Sequence, residues 1–191
     1  MTVFHAVTTD LGLPLPWPVP QTAPQHANDT ILIWGGSSSV GQYALQILRH
    51  WGYKNLLATA STPHHELLKS YGARAVFDYK DPAVVQQILD STSGNVPLIL
   101  DCIGSKFGSL APISKLAKKG AIVAVLLPVI VKDSTDEEAP VYSMNAGTEA
   151  EWAESVVVRG VRTHFYLDVS CLSVMGTAKN QSFKHDERLL S

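Results

Sequence analysis

Thr30-Ile31-Leu32-Ile33-Trp34-Gly35-Gly36-Ser37-Ser38-Ser39-Val40-Gly41 decides the fold. The first five residues, β-branched and apolar, read as a buried strand, and the Gly/Ser run breaks it into a tight turn. Behind the turn, Val40, Ala44, Ile47, Leu48 and Trp51 fall on one stripe of a helix, which Gly52 can end. Strand, small-residue turn and helix N-terminus together make an anion site, because unbonded backbone N–H groups and the positive helix end converge there. Gly36, Ser38 and Gly41 occupy the positions of a G-x-G-x-x-G phosphate loop, with Ser38 in place of the middle glycine. On this reading Gly41 allows close approach of a phosphate. The plainer alternative is an ordinary strand–helix turn in which Ser38 or Ser39 caps the helix.

Outward from that stretch, strands and helices alternate. Strand-like runs fall at residues 55–60, 75–77, 97–103 and 121–127. Thr62-Pro63 and Asp81-Pro82 each pair a cap with a first-turn proline, and a further helix is expected over residues 109–118. Continuous apolar strands between helices require a parallel sheet covered on both faces, so the fold class is a doubly wound α/β sheet. Before it, residues 2–11 suit an amphipathic helix, and prolines at 14, 16, 18 and 20 force an extended connector. After it, residues 132–140 read as a solvated acidic loop, 149–159 as a helix and 161–169 as a sixth strand. The division expected is 1–29 lead helix and connector, 30–169 dinucleotide-binding domain and 170–191 a poorly ordered tail.

The chain has 191 residues, a net charge of -2 and two cysteines. That balance argues against nucleic-acid partners. Two cysteines without a framework suggest reduced thiols, and no leader or long apolar run is present, so a cytoplasmic protein with no membrane partner is expected. His64-His65 has no ligand-spaced companions, so no metal is expected. Cys102, inside an apolar run, reads as a small buried hydrophobe rather than a nucleophile. Asp101 ends a strand and needs a partner or an exposed position.

Residues 59–62, Thr-Ala-Ser-Thr, stand where an NAD site would place an acid for the ribose hydroxyl. A hydroxyl cluster followed by His64 suits a 2′-phosphate, which favours NADPH; the alternative is that Ser61 and Thr62 only cap a helix.

The chain resembles the medium-chain dehydrogenase/reductase superfamily, specifically its zinc-free quinone oxidoreductases and fungal trans-acting enoyl reductases. The resemblance is carried by Leu11-Gly12-Leu13-Pro14, Gly35-Gly36-Ser37-Ser38-Ser39-Val40-Gly41, Ala58-Thr59-Ala60-Ser61, Tyr71-Gly72-Ala73, Val76-Phe77-Asp78-Tyr79 and Leu100-Asp101-Cys102-Ile103-Gly104. It implies a Rossmann-type dinucleotide-binding domain without the family's N-terminal catalytic barrel. It implies that Gly36, Ser37, Ser38, Ser39, Val40 and Gly41 hold the pyrophosphate, with Cys102 beside them. Ser61, His64 and Tyr79 would hold the adenosine 2′-phosphate end, and Leu126 and Leu127 would lie near the nicotinamide. The activity implied is hydride transfer from NADPH to an activated C=C or C=O of a small enone or carrier-bound acyl substrate. The competing expectation is a non-catalytic or partner-dependent cofactor-binding protein. An uncovered cleft would leave Trp17, Leu126, Leu127 or Val129 in an apolar patch that a homodimer buries, unless the 14–20 connector folds back over it.

Overall fold

A computed structural model describes residues 1–162. Its first elements are α1 (Thr2–His5), continued by a π-helical turn over Ala6–Asp10, then β1 (Ile31–Trp34), α2 (Ser39–His50) and β2 (Leu56–Thr59). A 3-10 turn (Thr62–His64) leads into α3 (His65–Ser70), followed by β3 (Ala75–Phe77), α4 (Val84–Ser91) and β4 (Leu98–Asp101). A π-helical turn over Lys106–Leu110 opens α5 (Ala111–Leu116). Then come β5 (Ile122–Leu126), the β6 (Val129–Lys132) and β7 (Val141–Ser143) hairpin, and β8 (Val157–Val161). Six strands form one sheet in the order β3-β2-β1-β4-β5-β8, every pairing parallel. The doubly wound reading is therefore correct.

Strand alternation explains the two layers. Ile31 and Ile33 of β1, Leu56 and Ala58 of β2 and Leu98 and Leu100 of β4 enter a core with Val7, Ala44, Leu45, Leu48 and Leu68. Their neighbours Leu32, Trp34, Leu57 and Ile99 enter a second core with Val84, Ile88, Ile113 and Leu116. Successive side chains point to opposite faces of a strand, so an all-apolar strand is what two covered faces require.

The expectations fail in four places. Residues 149–159 do not form a helix. Val156, Val157 and Val158 are β-branched, and β8 takes Val157 to Val161 into register with Ile122 to Leu126. The sixth strand thus begins four residues earlier than expected, and the rest of that expectation, with the 170–191 tail, lies outside the described residues. Residues 132–140 are an exposed loop as expected, but they close an antiparallel hairpin whose ends Lys132 and Glu138 join by an ion pair. The helix expected from residue 109 opens three residues earlier, because Ser105 accepts a hydrogen bond from the Gly108 N–H at 3.2 Å and starts the turn. Finally, the 14–20 connector does not fold over the cleft. The Tyr53 hydroxyl donates to the Pro14 carbonyl and Trp51 Nε1 to the Pro16 carbonyl, each at 2.9 Å, pinning the connector beyond the C-terminus of α2. Trp17 is exposed there, at the end of α2 opposite the glycine turn, whereas Val129 is fully buried and Leu126 and Leu127 are half-buried, so the four form no single patch.

Among the described residues no helix is long and apolar enough to cross a membrane.

Candidate functional site

The strand order runs from β1 through β2 to β3 on one side and to β4 on the other, so β1/β4 is the point where the topology reverses. A parallel sheet opens a crevice at the carboxyl ends of its strands there. A cavity of about 250 Å³ occupies that place, lined by Trp34, Gly35, Ser37, Thr59, Ala60, Tyr79, Ile103, Ser105 and Gly108.

The β1–α2 turn forms one wall. Gly35 has φ +81°, and a Cβ there would lie 2.5 Å from Ile103 Cδ1. A Cβ on Gly41 would lie 2.5 Å from the Gly35 carbonyl oxygen and 2.7 Å from Gly36 Cα. Gly41 therefore also serves the packing of helix onto turn, a role the sequence pattern did not show. The Ser38 hydroxyl donates to the Gly35 carbonyl at 2.8 Å and accepts the Gly41 N–H at 3.1 Å, so it is the N-cap of α2. The Gly35 and Gly36 amides are tied to the Thr59 hydroxyl and carbonyl of β2. What remains is the amides of Ser37, Ser39 and Val40, which bond to no acceptor within the described residues. The capping alternative is realised by the Ser38 hydroxyl, and it leaves the amides that the anion-site reading needs without an acceptor. Ser38 and Ser39 divide the work: one caps, the other offers its N–H.

The opposite wall follows β4. Asp101 is fully buried. Its Oδ1 accepts the N–H groups of Ile103 at 2.9 Å and Gly104 at 3.2 Å, and its Oδ2 accepts the Ser109 hydroxyl at 2.6 Å. Burial pushes its carboxyl up to about 6, against the opposing pull of those three bonds. Cys102 is half-buried next to Ser38, and burial together with the Asp101 charge pushes its thiol well up, so it is not a nucleophile.

At the β2–β3 end, Tyr79 lines the cavity and is 45% exposed, while Ser61 and His64 stand just outside it, His64 exposed. Ser61, not Thr62, occupies the N-cap of the 3-10 turn. Thr62 donates its hydroxyl to Asp78 Oδ2 at 2.7 Å, and the Lys80 N–H donates to Oδ1 at 2.9 Å. The Lys80 N–H and the Thr62 hydroxyl hold the Asp78 carboxyl below its usual range. His65, the neighbour of the histidine singled out in sequence, turns back and donates to the Ala60 carbonyl at 3.0 Å. Leu126 and Leu127 do not line the cavity. Leu127 packs on Gly160, where an added Cβ would meet its Cδ1 at 2.5 Å. Sequence reasoning missed Ser105, Gly108 and Ser109, which reach the site only because the turn after β4 curls back; the isolated Asp101 was its one signal.

Residues 39–158, more than half of the chain, match the zinc-binding dehydrogenase family. The chain belongs to that family. Within the medium-chain dehydrogenase/reductase superfamily it is an enoyl reductase-like, Rossmann-type nucleotide-binding domain. It is 37% identical over 128 residues to the dual trans-enoyl reductase/FAD-dependent monooxygenase tazHJ of Aspergillus terreus, covering 67% of this chain and 18% of that protein. It is 45% identical over 93 residues to the trans-enoyl reductase tazE of the same fungus, covering 48% of this chain and 29% of that one. A crystal structure of an alcohol dehydrogenase zinc-binding domain protein from Burkholderia ambifaria superimposes with a TM-score of 0.59 at 20% identity, over 84% of this chain and 37% of the other. The chain thus matches less than a third of either fungal relative's length. Despite the family name, no group of three or more His, Cys, Asp or Glu among the described residues could hold a metal ion, so the described residues do not fit zinc.

Proposed function

We propose that this domain binds NADPH and presents it for hydride transfer to an activated C=C or C=O, as in an enoyl or quinone reductase. The carrying observation is the junction of β1 and α2. Three amides, those of Ser37, Ser39 and Val40, bond to no acceptor at the N-terminus of a twelve-residue helix. Ser37 lines the cleft where the strand order reverses, and Ser39 and Val40 follow it in the first turn of α2, lining the neighbouring pocket against α1. That arrangement fits a pyrophosphate, because the amides donate without reorganising and the helix end favours negative charge. Gly36 and Gly41 keep the turn tight, and Ser38, with Cys102 behind it, keeps the helix end in place.

The preference for NADPH over NADH rests on the β2 end. No carboxylate follows β2 in residues 59–62, and Ser61, His64 and Tyr79 flank the place where one would stand. The nearest acid, Asp78, is directed at Thr62 and the Lys80 amide. Leu126 and Leu127, at the end of β5, are assigned to the nicotinamide side by family resemblance. Bound here, the cofactor would supply the hydride; the chain's own residues bind it, orient it and exclude water from one side. A carrier-bound acyl group or small enone is the proposed acceptor.

Titration of the purified chain with NADPH and NADH, followed by nucleotide fluorescence, tests this reading. NADPH is expected to bind at least tenfold more tightly. Equal dissociation constants would remove the NADPH assignment, and no binding of either would remove the whole proposal.

A further inference from the structure

The buried carboxylate beneath the cleft has no role in the reading above. Asp101 is the last residue of β4 and pairs in register with Trp34 on one side and Val125 on the other. Adjacent strands lie about 4.8 Å apart, so the carboxylate sits one strand from the Trp34-Gly35 wall of the cavity. Its three hydrogen bonds all run into the opposite wall. Oδ1 gathers the Ile103 and Gly104 amides, and Oδ2 takes the Ser109 hydroxyl, whose oxygen in turn accepts the Ser105 N–H at 2.9 Å. Ile103 and Ser105 both line the cavity. One side chain therefore ties down the whole turn from residue 103 to residue 109.

We infer that Asp101 is a positioning residue for the dinucleotide: it holds the β4 wall of the cleft against the glycine turn, and its charge sets the pH dependence of binding. This rests on the proposed dinucleotide reading. The network tolerates loss of the charge. A protonated Asp101 can donate to Ser109 Oγ, and the Ser109 hydroxyl can then donate to the Ser105 carbonyl, 3.0 Å away. The wall is held in both states, but only one leaves a negative charge buried one strand away from the glycine turn of the proposed pyrophosphate site. Low dielectric makes that charge count. No cation faces it. β1 and β5 bring Trp34 and Val125, and the same strand's end brings the Cys102 thiol. Of the lysines on the following helical turns, Lys106 pairs with Glu149 at 3.2 Å and Lys115 is exposed. Burial already holds the carboxyl near 6. Binding of the anionic dinucleotide should therefore tighten as pH falls through that range.

The test compares the full chain with Asp101→Asn and Asp101→Ala, using NADPH as probe between pH 5 and 8. Asparagine fills the same volume; its oxygen can accept the two amides and its NH2 can donate to Ser109. Asp101→Asn should bind NADPH at least as tightly as the parent at pH 7.5 and should lack the carboxylate component. The ratio of parent to variant dissociation constants should rise at least threefold from pH 5 to 7.5. Taking the ratio cancels titration of the NADPH 2′-phosphate and of the histidines. Asp101→Ala should bind at least tenfold more weakly while keeping its near-ultraviolet circular dichroism. If it does not fold, Ser109→Ala supplies the same measurement. A constant ratio across pH, or unchanged affinity in the folded alanine variant, overturns the inference. If the parent binds no dinucleotide at any pH, the proposed function fails instead. Tryptophan fluorescence then still reads Asp101: a parent-minus-Asn titration centred near 6 supports the charged latch beside Trp34, and a flat difference removes it.

Discussion

The two walls of the cleft are built by opposite means. On the β1 side, Gly35 and Gly41 bring backbone against backbone, and an added Cβ on Gly41 would lie 2.5 Å from the Gly35 carbonyl oxygen. Shape and uncharged hydrogen bonds to Ser38 and Thr59 hold that wall, and nothing in it titrates. On the β4 side, three hydrogen bonds to one buried carboxylate hold the turn, so its energetics follow pH. A sterically built wall has one state, whereas a wall built on an ionisable group has two with different charge. The contrast assigns constancy to the side that would meet phosphate and adjustability to the side facing it.

Breaking the steric wall should have the largest effect. Gly41→Val forces a branched side chain into the Gly35-Gly36 backbone, and about 3 kcal/mol of stability should be lost. Chemical denaturation measures it. A Gly41→Val protein as stable as the parent would show that the turn can shift and that the walls do not differ in kind.

The second test uses the pH dependence of stability. The Asp101 carboxyl lies near 6 when folded against an ordinary 3.8, so the folded chain keeps a proton that the unfolded chain has released. The resulting stabilisation is complete below the unfolded value and is lost as pH rises through 6. Two pH units correspond to at most about 3 kcal/mol. Asp78 works in the opposite sense, its contribution present above the ordinary carboxylate value and lost as pH falls through its depressed one. Denaturation midpoints should therefore fall between pH 4.5 and 6.5 in the parent (roughly one unfolded-to-folded titration window) and fall less in Asp101→Asn. Parallel curves would deny the carboxylate wall its pH response.

Smaller effects sharpen the picture at the edges of the cleft. Ser61→Asp places a negative charge after β2 and should erode the preference for NADPH, with NADPH weakened about tenfold, or about 1.4 kcal/mol, and NADH little changed. Paired NADPH and NADH titrations decide this, and an unchanged ratio would move the 2′-phosphate away from Ser61. Ser38→Ala removes the α2 cap, and about 1 kcal/mol should be lost in thermal or chemical unfolding. A loss confined to stability, with NADPH affinity intact, would show that the neighbouring amides and not the Ser38 hydroxyl carry the anion site.

The sequence by itself determined the sheet, because all-apolar runs such as residues 31–34 and 98–100 can be satisfied only by burial on both faces. It also marked the place of the candidate site, since a strand breaking through small residues into a helix leaves amides unbonded wherever it occurs. The tertiary structure decided what local pattern cannot hold. Val157 and Val158 suited helix or strand until β5 offered a partner for their backbone. Gly41 carried a phosphate-loop pattern, and its missing side chain also answers to Gly35 and Gly36, six and five residues earlier. Asp101 was visible as a polar residue ending an apolar strand, but Ser109 became its partner, with Ser105 joined through Ser109, only when the chain curled back after β4. Periodicity reports which way a side chain faces, whereas a buried charge is defined by what surrounds it, and those surroundings come from the fold.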